Sequence, residues 1–384
     1  MPDAAQDTGL ERWIARLRSA DVTVRSDAAH QLGKLGDERA VPALAEAVQD
    51  PDEYVRKSAV MALRRIGGPA AMAALRTALS DRSEQVILQA VNGLRDMRDK
   101  EAVEPLIRVL ARRERSLQLA AIDALVRIGP DAVGPLLEAF KDRNLRRRIG
   151  NQVWKILIDM GPRSIEPLLQ MMADDNQYVR LTAISVLGRI GDKRVVTPLV
   201  HLFLDDPRMQ EGVVTTIARL EERGVLELSQ SAERELTLPR EVIEGLQSRP
   251  HADVVRQLQE ALENPSPKVR RFALKALFAL LGDGALDHLI RALHDEDVDV
   301  KRLAIRIMAR LRDKRVVDPL VQLILTNGEQ VEEAAWNTLK VLTGLREYEE
   351  LRARVAKERA GTRPQVRKFT RGKDISPDWW REQD

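Results

Sequence analysis

The stretch VRSDAAHQL, residues Val24–Leu32, decides the fold, because it recurs about every 31 positions along the chain. It returns as VRKSAVMAL at Val55–Leu63 and as VILQAVNGL at Val86–Leu94. Further copies begin at Leu117, Leu145, Val179, Met209, Val269, Val300 and Val331. A fixed period of this length is typical of a solenoid, in which each unit is too small to bury its own apolar face and stacks on its neighbours.

Each repeat is predicted to form a hairpin of two amphipathic helices. In residues 52–80, Asp52 occupies an N-cap position, and apolar residues at helical spacing follow from Val55. Gly67-Gly68 is expected to end this helix, and Pro69 to stand at the start of a second, shorter one. The pattern predicts an all-α solenoid of about eleven helical-hairpin repeats.

The second helices share a phrase of their own, in which proline stands in the first helical turn. It reads AVPAL at 40–44, AVEPL at 102–106, VVTPL at 195–199 and VVDPL at 316–320. Together the two phrases resemble HEAT repeats of the short bacterial kind, similar to those of phycobilin lyase subunits. The resemblance covers residues 21–345 and implies a right-handed α-α superhelix. It says little about function, because such repeats serve many unrelated tasks.

The repeat register divides the chain into five predicted regions. They are an N-terminal capping helix at 1–20, HEAT-like repeats at 21–207, less regular repeats with one degenerate unit at 208–265, HEAT-like repeats at 266–345, and a C-terminal helix and basic tail with a tryptophan pair at 346–384. Thr8 and Glu11 fit a capping box that would start the first helix. The segments 239–246 and 252–258 are expected to be the helices of the degenerate unit, which is either a drifted repeat or a hinge or partner-specific insert.

Composition excludes several classes of function. The chain has no cysteine, which removes disulfides, cysteine-based zinc sites and thiol catalysis. No catalytic motif, phosphate-binding loop or His-Glu-x-x-His pair occurs, so we expect neither an enzyme nor a bound cofactor or metal. Asp295-Glu296-Asp297 begins like a calcium loop, but Val300 and Arg306 stand where glycine and glutamate belong, which favours helix capping. Without a secretory signal or a long apolar run, we expect a cytoplasmic protein with no membrane insertion.

A polar column on the second helices is the predicted binding surface. Two positions after the leucine of each Pro-Leu phrase the residues are polar, with alternating charge, which suits a shaped protein surface better than a nucleic-acid groove. The column consists of Glu46, Thr77, Arg108, Glu138, Gln170, His201, Arg291 and Gln322. We therefore expect one or more protein partners; a solvated face with no ligand is the alternative.

The recurrent arginine of the first phrase also has two interpretations. It could form a basic ladder for phosphates, or it could pair with acidic residues in the turns of the repeats, as it does in HEAT-like arrays. The arginines are Arg25, Arg56, Arg180 and Arg270. Their candidate partners are Asp21, Asp52, Asp174 or Asp175, and Asp297 or Asp299. The paired interpretation is favoured.

Basic residues also gather in two other places, each with a candidate anion-binding role. One is the run Arg146, Arg147 and Arg148. The other is the tail: from Leu351 onward ten Lys or Arg stand against five Asp or Glu, whereas the rest of the chain carries 52 basic and 54 acidic residues. The candidate tail residues are Arg367, Lys368, Arg371, Trp379 and Trp380. The tail could cap the last repeat, dock on another protein or stack on single-stranded nucleic acid.

These features predict a non-enzymatic scaffold or adaptor that binds proteins along the concave face of the solenoid. One alternative is a nucleic-acid-binding protein that uses the basic tail, including a HEAT-like DNA glycosylase, for which Trp154 near the arginine run is the single indication. Another is a subunit similar to the bilin lyases, which the resemblance alone suggests.

Overall fold

The computed structural model describes residues 4–226, 236–326 and 329–362, and these residues form α-helices and short 3-10 helices but no β-strand. The predicted all-α class is confirmed. In chain order the α-helices are α1 Ala4–Arg16, α2 Val22–Leu35, α3 Val41–Ala47, α4 Glu53–Ile66, α5 Gly68–Ala78, α6 Glu84–Met97, α7 Val103–Leu110, α8 Arg115–Ile128, α9 Val133–Glu138, α10 Arg143–Met160, α11 Ile165–Met171, α12 Gln177–Ile190, α13 Val196–Asp205, α14 Gln210–Glu222, α15 Arg240–Gln247, α16 His251–Ala261, α17 Pro267–Leu281, α18 Leu286–Ala292, α19 Val298–Leu311, α20 Val317–Thr326 and α21 Glu329–Thr362.

The helices form two compact units. The first comprises the described residues within Met1–Leu228 and Pro239–Val254, and the second those within Ser229–Leu238 and Val255–Asp384. In the first unit the longer helices α2, α4, α6, α8, α10, α12 and α14 pack side by side in that order. The shorter helices lie in a second row, with α3 beside α5, α7 beside α9, and α9 beside α11. In the second unit α17 packs on α19, and both α19 and α20 pack on α21. This alternation is that of a solenoid.

The start and end of the longer helices follow from local side-chain chemistry. The Asp52 carboxylate accepts a hydrogen bond from the Tyr54 amide at 2.8 Å, which confirms it as the N-cap of α4. Gly67, with φ of 75°, ends α4 after Ile66, and α5 begins at the next residue, as predicted. The same capping bond is made at the starts of other longer helices, by Asp21, Ser83, Asp142, Asn176 and Asp297.

A 3-10 turn that the sequence analysis did not predict precedes most of the shorter helices. Asp37 caps the turn Glu38–Ala40 by accepting from the Arg39 amide at 2.9 Å, and it also binds the Arg39 guanidinium at 2.6 Å. Those bonds from Arg39 hold the pKa of Asp37 below its ordinary value. The same Asp-x-Arg arrangement recurs at Asp192 with Arg194 and at Asp313 with Arg315.

The core is built from the repeated phrase itself. The apolar residue that ends each copy is buried: Leu32, Leu63, Leu94, Leu125, Val153, Leu187 and Ile217 in the first unit, and Leu277, Met308 and Leu339 in the second. Burial of each such side chain stabilises the fold by about 2 kcal/mol, so this position adds a similar stabilisation with every repeat. Since the aromatics are 3% of the chain, aliphatic residues carry this packing.

The N-terminal helix differs from its predicted start. Helix α1 begins at Ala4, so the expected capping box with Thr8 as N-cap was wrong. Leu10 and Leu17 are buried, and α1 packs against α2. The helix therefore covers the first repeat as predicted, although it starts five residues before Gly9, the first residue that a Thr8 N-cap implies.

The C-terminal helix turns back on itself at Gly344, whose φ of 76° and ψ of 170° break the helical path of α21. Leu351 and Val355, beyond the break, are buried in the core of the second unit. Arg359 bonds both carboxylate oxygens of Glu332 at 2.9 and 3.0 Å, which ties the returning segment to the start of α21. The C-terminal helix predicted at the start of the region 346–384 thus forms, and its Arg359 donates to the carbonyl of Ile324 in α20. The tail residues Arg367, Lys368, Arg371, Trp379 and Trp380 lie outside the described residues.

In the less regular region, α15 packs against α13 in the row of shorter helices. A Cβ placed on Gly245 would lie 3.2 Å from the Val200 Cβ and 3.4 Å from the Thr197 Cα, so glycine allows the close approach. The predicted boundaries at residues 208 and 265 stay a prediction.

Candidate binding surface

The recurrent arginines of the longer helices are used inside the array. Arg56 donates from Nε and Nη2 to the two oxygens of Asp81 at 2.7 and 3.1 Å, and from Nη1 to the carbonyls of Asp50 and Pro51 at 2.9 and 3.1 Å. Its side chain is 5% exposed. The Arg56 guanidinium thus joins the turn before α4 to the turn after α5. This favours the paired interpretation of the arginines over a phosphate ladder.

The same geometry recurs at a fixed spacing of 25 residues. Arg25 bonds Asp50 at 2.8 and 3.0 Å, and Arg270 bonds Asp295 at 2.8 Å from both Nε and Nη2. The expected carboxylate partners of these arginines were wrong, because Asp21, Asp52 and Asp297 are the N-caps of their helices. The capping role favoured for the run that begins at Asp295 is confirmed at Asp297.

Arg180 departs from this series, and so does Arg146, which holds the equivalent place after Leu145. Arg180 lies 3.3 Å from Asp206, which also binds Arg208, and the Nε and Nη2 atoms of Arg180 are buried without a hydrogen-bond partner. Arg146 donates to the Phe140 carbonyl at 2.7 Å, and its guanidinium lies 3.8 Å above the Tyr178 ring instead of on a carboxylate.

The predicted polar column lies on the solvent side of the shorter helices, with one departure. Seven members are exposed: Glu46, Thr77, Arg108, Glu138, Gln170, Arg291 and Gln322. Because α7, α9 and α11 are neighbours, the structure brings Arg108, Glu138 and Gln170 onto adjacent helices. The members have local contacts as well: Glu138 binds Lys141 at 2.7 Å, and Glu46 lies 3.6 Å from Arg18.

His201 is the member that the fold partly withdraws from solvent. Its Nε2 lies 2.7 Å from the Ser248 hydroxyl, and burial together with the nearby Arg249 lowers the pKa of the imidazole. Arg249 in turn holds Asp205 through two bonds of 2.5 and 2.6 Å. The turn after α15 therefore covers this end of α13.

The second unit contains a cleft of 650 Å³ at the column residue Arg291. Its lining includes His288 and Gln259, whose side chains lie 3.2 Å apart, and the exposed His294. Burial and the Arg291 charge lower the pKa of His288, so its imidazole is neutral at neutral pH. A neutral ring, an amide and an exposed guanidinium can donate and accept hydrogen bonds to a peptide backbone or a carboxylate. Sequence reasoning found Arg291 and missed the cleft around it.

The arginine run lies at the start of α10, where Arg147 and Arg148 are exposed and Arg146 is half-buried. Arg148 donates to the carbonyl of Ala111, in the turn before α8. Trp154, the residue considered for a glycosylase, lies 5.3 Å below the guanidinium of Arg189. Among the described residues no three His, Asp or Glu side chains gather as metal ligands, and no described helix has the length and hydropathy of a membrane span.

Comparison with known families decides what kind of array this is. A family model described as HEAT repeats matches five segments of the chain, at residues 10–90, 72–152, 152–218, 225–299 and 286–366. The chain belongs to the HEAT-repeat family. The predicted HEAT-like solenoid is therefore confirmed, and no curated protein matches the sequence.

Solved structures similar to this HEAT-repeat chain include natural and engineered proteins. An engineered protein matches with a TM-score of 0.39 and 18% identity, over 87% of this chain and 99% of its own. The CpcE–CpcF complex of phycocyanin lyase from Nostoc sp. PCC7120 matches with a TM-score of 0.32 and 23% identity, over 62% and 92%. The karyopherin Kap121p, bound to the extreme C-terminus of the protein phosphatase Cdc14p, matches with a TM-score of 0.36 and 13% identity, over 88% and 46%.

Proposed function

We propose that this HEAT-repeat protein is a non-enzymatic scaffold or adaptor that binds partner proteins along the exposed face of its shorter helices. The observation that supports this proposal is a difference between the row of longer helices and the row of shorter helices. On the longer helices, Arg25, Arg56 and Arg270 bond to carboxylates inside the array, as Arg56 does with Asp81. On the shorter helices, seven of the eight column residues are polar and exposed. A surface whose residues change from repeat to repeat while the backbone does not is suited to recognising a partner of defined shape.

The cleft at Arg291 adds a place where such a partner could insert a side chain or a chain end. It has donors and acceptors that are not all used within the protein, and no described residue makes an ion pair with Arg291. Its volume is of the order found for specific binding pockets. A cytoplasmic location and the absence of catalysis are part of the same proposal.

Site-specific photocrosslinking tests the proposal directly. A photoreactive amino acid at Gln170 or at Gln322 should give crosslinks to one or more proteins in native lysate. The same amino acid at Arg65, which is exposed on the longer helix α4, is the matched control and should give none. Crosslinks that come equally from Arg65 would contradict a binding face on the shorter helices.

Affinity capture with and without nuclease separates the alternatives. Stoichiometric proteins that remain after nuclease, and that are lost from Arg291→Glu but retained by Arg65→Glu, would support the scaffold. Partners that vanish with nuclease, and that require residues 361–384, would replace it with nucleic-acid binding through the tail.

A further inference from the structure

Two basic runs that are distant in sequence meet on one edge of the first unit. The turn before α8 carries Arg112 and Arg113, Arg115 is the first residue of α8, and the start of α10 carries the second run. Helices α8 and α10 are neighbours in the row of longer helices, and Arg148 reaches the Ala111 carbonyl across the gap. The arginine patch formed in this way consists of Arg112, Arg113, Arg115, Arg143, Arg147 and Arg148.

The charges of the arginine patch are not neutralised within the described structure. Arg113, Arg115, Arg143 and Arg147 are exposed, and none forms an ion pair with a described carboxylate. The acidic residues inside the patch are Glu114 and Asp142, and the Asp142 carboxylate is occupied by the amides of Asn144 and Leu145. Elsewhere on the longer helices arginines such as Arg64 and Arg95 bind carboxylates of the next helix. An exposed group of unpaired guanidiniums therefore sets this edge apart.

Two exposed apolar side chains border the arginine patch. Leu119 is 51% exposed and lies one helical turn along α8 from Arg115. Tyr178 is 55% exposed, with one face of its ring covered by the Arg146 guanidinium. Exposed arginine and tyrosine together are typical of a protein-binding surface, and Leu119 adds apolar area beside them.

Acidic residues limit the arginine patch on both sides. Glu84, whose carboxylate accepts from the Ser116 hydroxyl, lies beside the start of α8, and the exposed Asp175 stands in the turn before α12. Neighbouring helices pack about 8–10 Å apart, so the basic surface is about 20 Å wide. An extended segment of about six residues spans that width. A longer phosphate backbone would run onto Glu84 or Asp175, where like charges repel it.

We propose that the arginine patch is a docking site for a short acidic segment of a partner protein, one that carries Asp or Glu together with apolar residues. Carboxylates suit guanidinium forks, which bind them through two parallel bonds, and Leu119 and Tyr178 offer apolar contacts to the same segment. This assignment rests on the proposed protein-binding function and names the chemistry of one partner. It concerns the edge of the longer helices and not the cleft at Arg291.

Fluorescence anisotropy on the full chain tests the assignment. The probe is a labelled peptide of about eight residues in which glutamates alternate with leucine and serine, at about 150 mM salt. The double variant Arg113→Glu with Arg147→Glu should weaken binding about tenfold or more. The matched control is Arg12→Glu with Arg65→Glu, which makes the same charge change at two exposed, unpaired arginines outside the patch and should change binding less than about twofold.

Other outcomes overturn the proposal. Equal affinity of the two double variants, or equal binding of the peptide with glutamine in place of glutamate, would mean that the patch is not the site. Tighter binding of an oligodeoxythymidine of the same charge, or of phosphatidylserine vesicles, through Arg113 and Arg147 would assign the patch to phosphate. If the peptide does not bind through the arginine patch while affinity capture of proteins still depends on Arg291, the docking proposal is wrong and the scaffold proposal stands. If affinity capture does not depend on Arg291 either, both proposals are wrong.

Discussion

Arg56 of one repeat and Asp81 of the next form a two-bond ion pair in which the side chains are 5% and 7% exposed. The same guanidinium satisfies two backbone carbonyls of its own turn, so one side chain meets four acceptors. A charge that is this well buried is stable only while all of its partners are in place. The pair therefore fixes the register between neighbouring repeats.

Replacing Arg56 should destabilise the first unit strongly. Arg56→Met removes the cation but leaves Asp81 and the two carbonyls buried, and we expect a loss of about 3 kcal/mol in the free energy of unfolding. Urea denaturation followed by circular dichroism measures this loss. Arg64→Met is the control, because the Arg64–Asp96 pair is about one third exposed and its removal should cost less than about 1 kcal/mol. Similar losses in the two variants would contradict the role given to Arg56.

The stabilisation from the pair of Arg25 and Asp50 should depend on pH. Burial opposes the charged form of Asp50, but the hydrogen bonds from Arg25 and from the Asp52 amide outweigh it, so the pKa of Asp50 lies below its ordinary value of 3.8. A lowered pKa stabilises the fold above about pH 4, and that stabilisation is lost as the pH falls through the folded-state pKa. Asp50→Asn should therefore lower the urea midpoint most at pH 7 and progressively less below pH 4. A difference between variant and parent that does not change with pH would disprove the linkage.

Gly344→Ala should loosen the C-terminal cap. Its φ of 76° with ψ of 170° is a conformation that an L side chain adopts only at a cost of about 1–3 kcal/mol. The contact between Trp336 and Tyr348, whose rings stand edge to face at 5.7 Å, should weaken with it. Tryptophan fluorescence and thermal denaturation measure both effects. Gly150→Ala in α10 is the control: its Cβ would meet nothing within 4 Å, and alanine should stabilise that helix by about 0.5–1 kcal/mol.

Gly33 allows a close approach between the longer helices α2 and α4. A Cβ at this position would lie 2.7 Å from the Ala62 Cα, so α2 and α4 would have to separate. We expect Gly33→Ala to cost about 2 kcal/mol or more in thermal or chemical denaturation. Gly93→Ala should cost less, since its nearest neighbour is the mobile end of the Leu75 side chain at 2.8 Å. A Gly93 variant that is less stable than the Gly33 variant would contradict this explanation.

Most of the fold could be predicted from periodicity, because a buried residue every 31 positions leaves few other architectures. The partner of each recurrent arginine could not be found in the same way. The turn Asp50-Pro51-Asp52 offers two carboxylates, and only the three-dimensional path decides that Asp52 caps α4 while Asp50 binds Arg25. The constant spacing of 25 residues, seen again between Arg270 and Asp295, was the available signal.

The binding surface was predicted less completely than the fold. The column residues Arg108, Glu138 and Gln170 follow from aligning the Pro-Leu phrases, whereas the covering of His201 depends on α15, where the register is irregular. The sequence analysis identified only one half of the arginine patch, the basic run at the start of α10. Arg115 and Arg143 are the first residues of α8 and α10, so comparing the two repeats side by side would have shown basic residues at the start of both helices.

The spacing between Arg56 and Asp81 also bears on how such an array can lengthen or shorten over generations. Arg25, Arg56 and Arg270 each bind an aspartate 25 residues further along the chain, so a duplication or deletion of whole 31-residue units keeps an aspartate at the required distance. An insertion between such an arginine and its aspartate leaves a buried cation without its partner. Unequal recombination can therefore add or remove whole repeats without breaking these ion pairs. Gain or loss of part of a repeat is selected against because the product folds less stably.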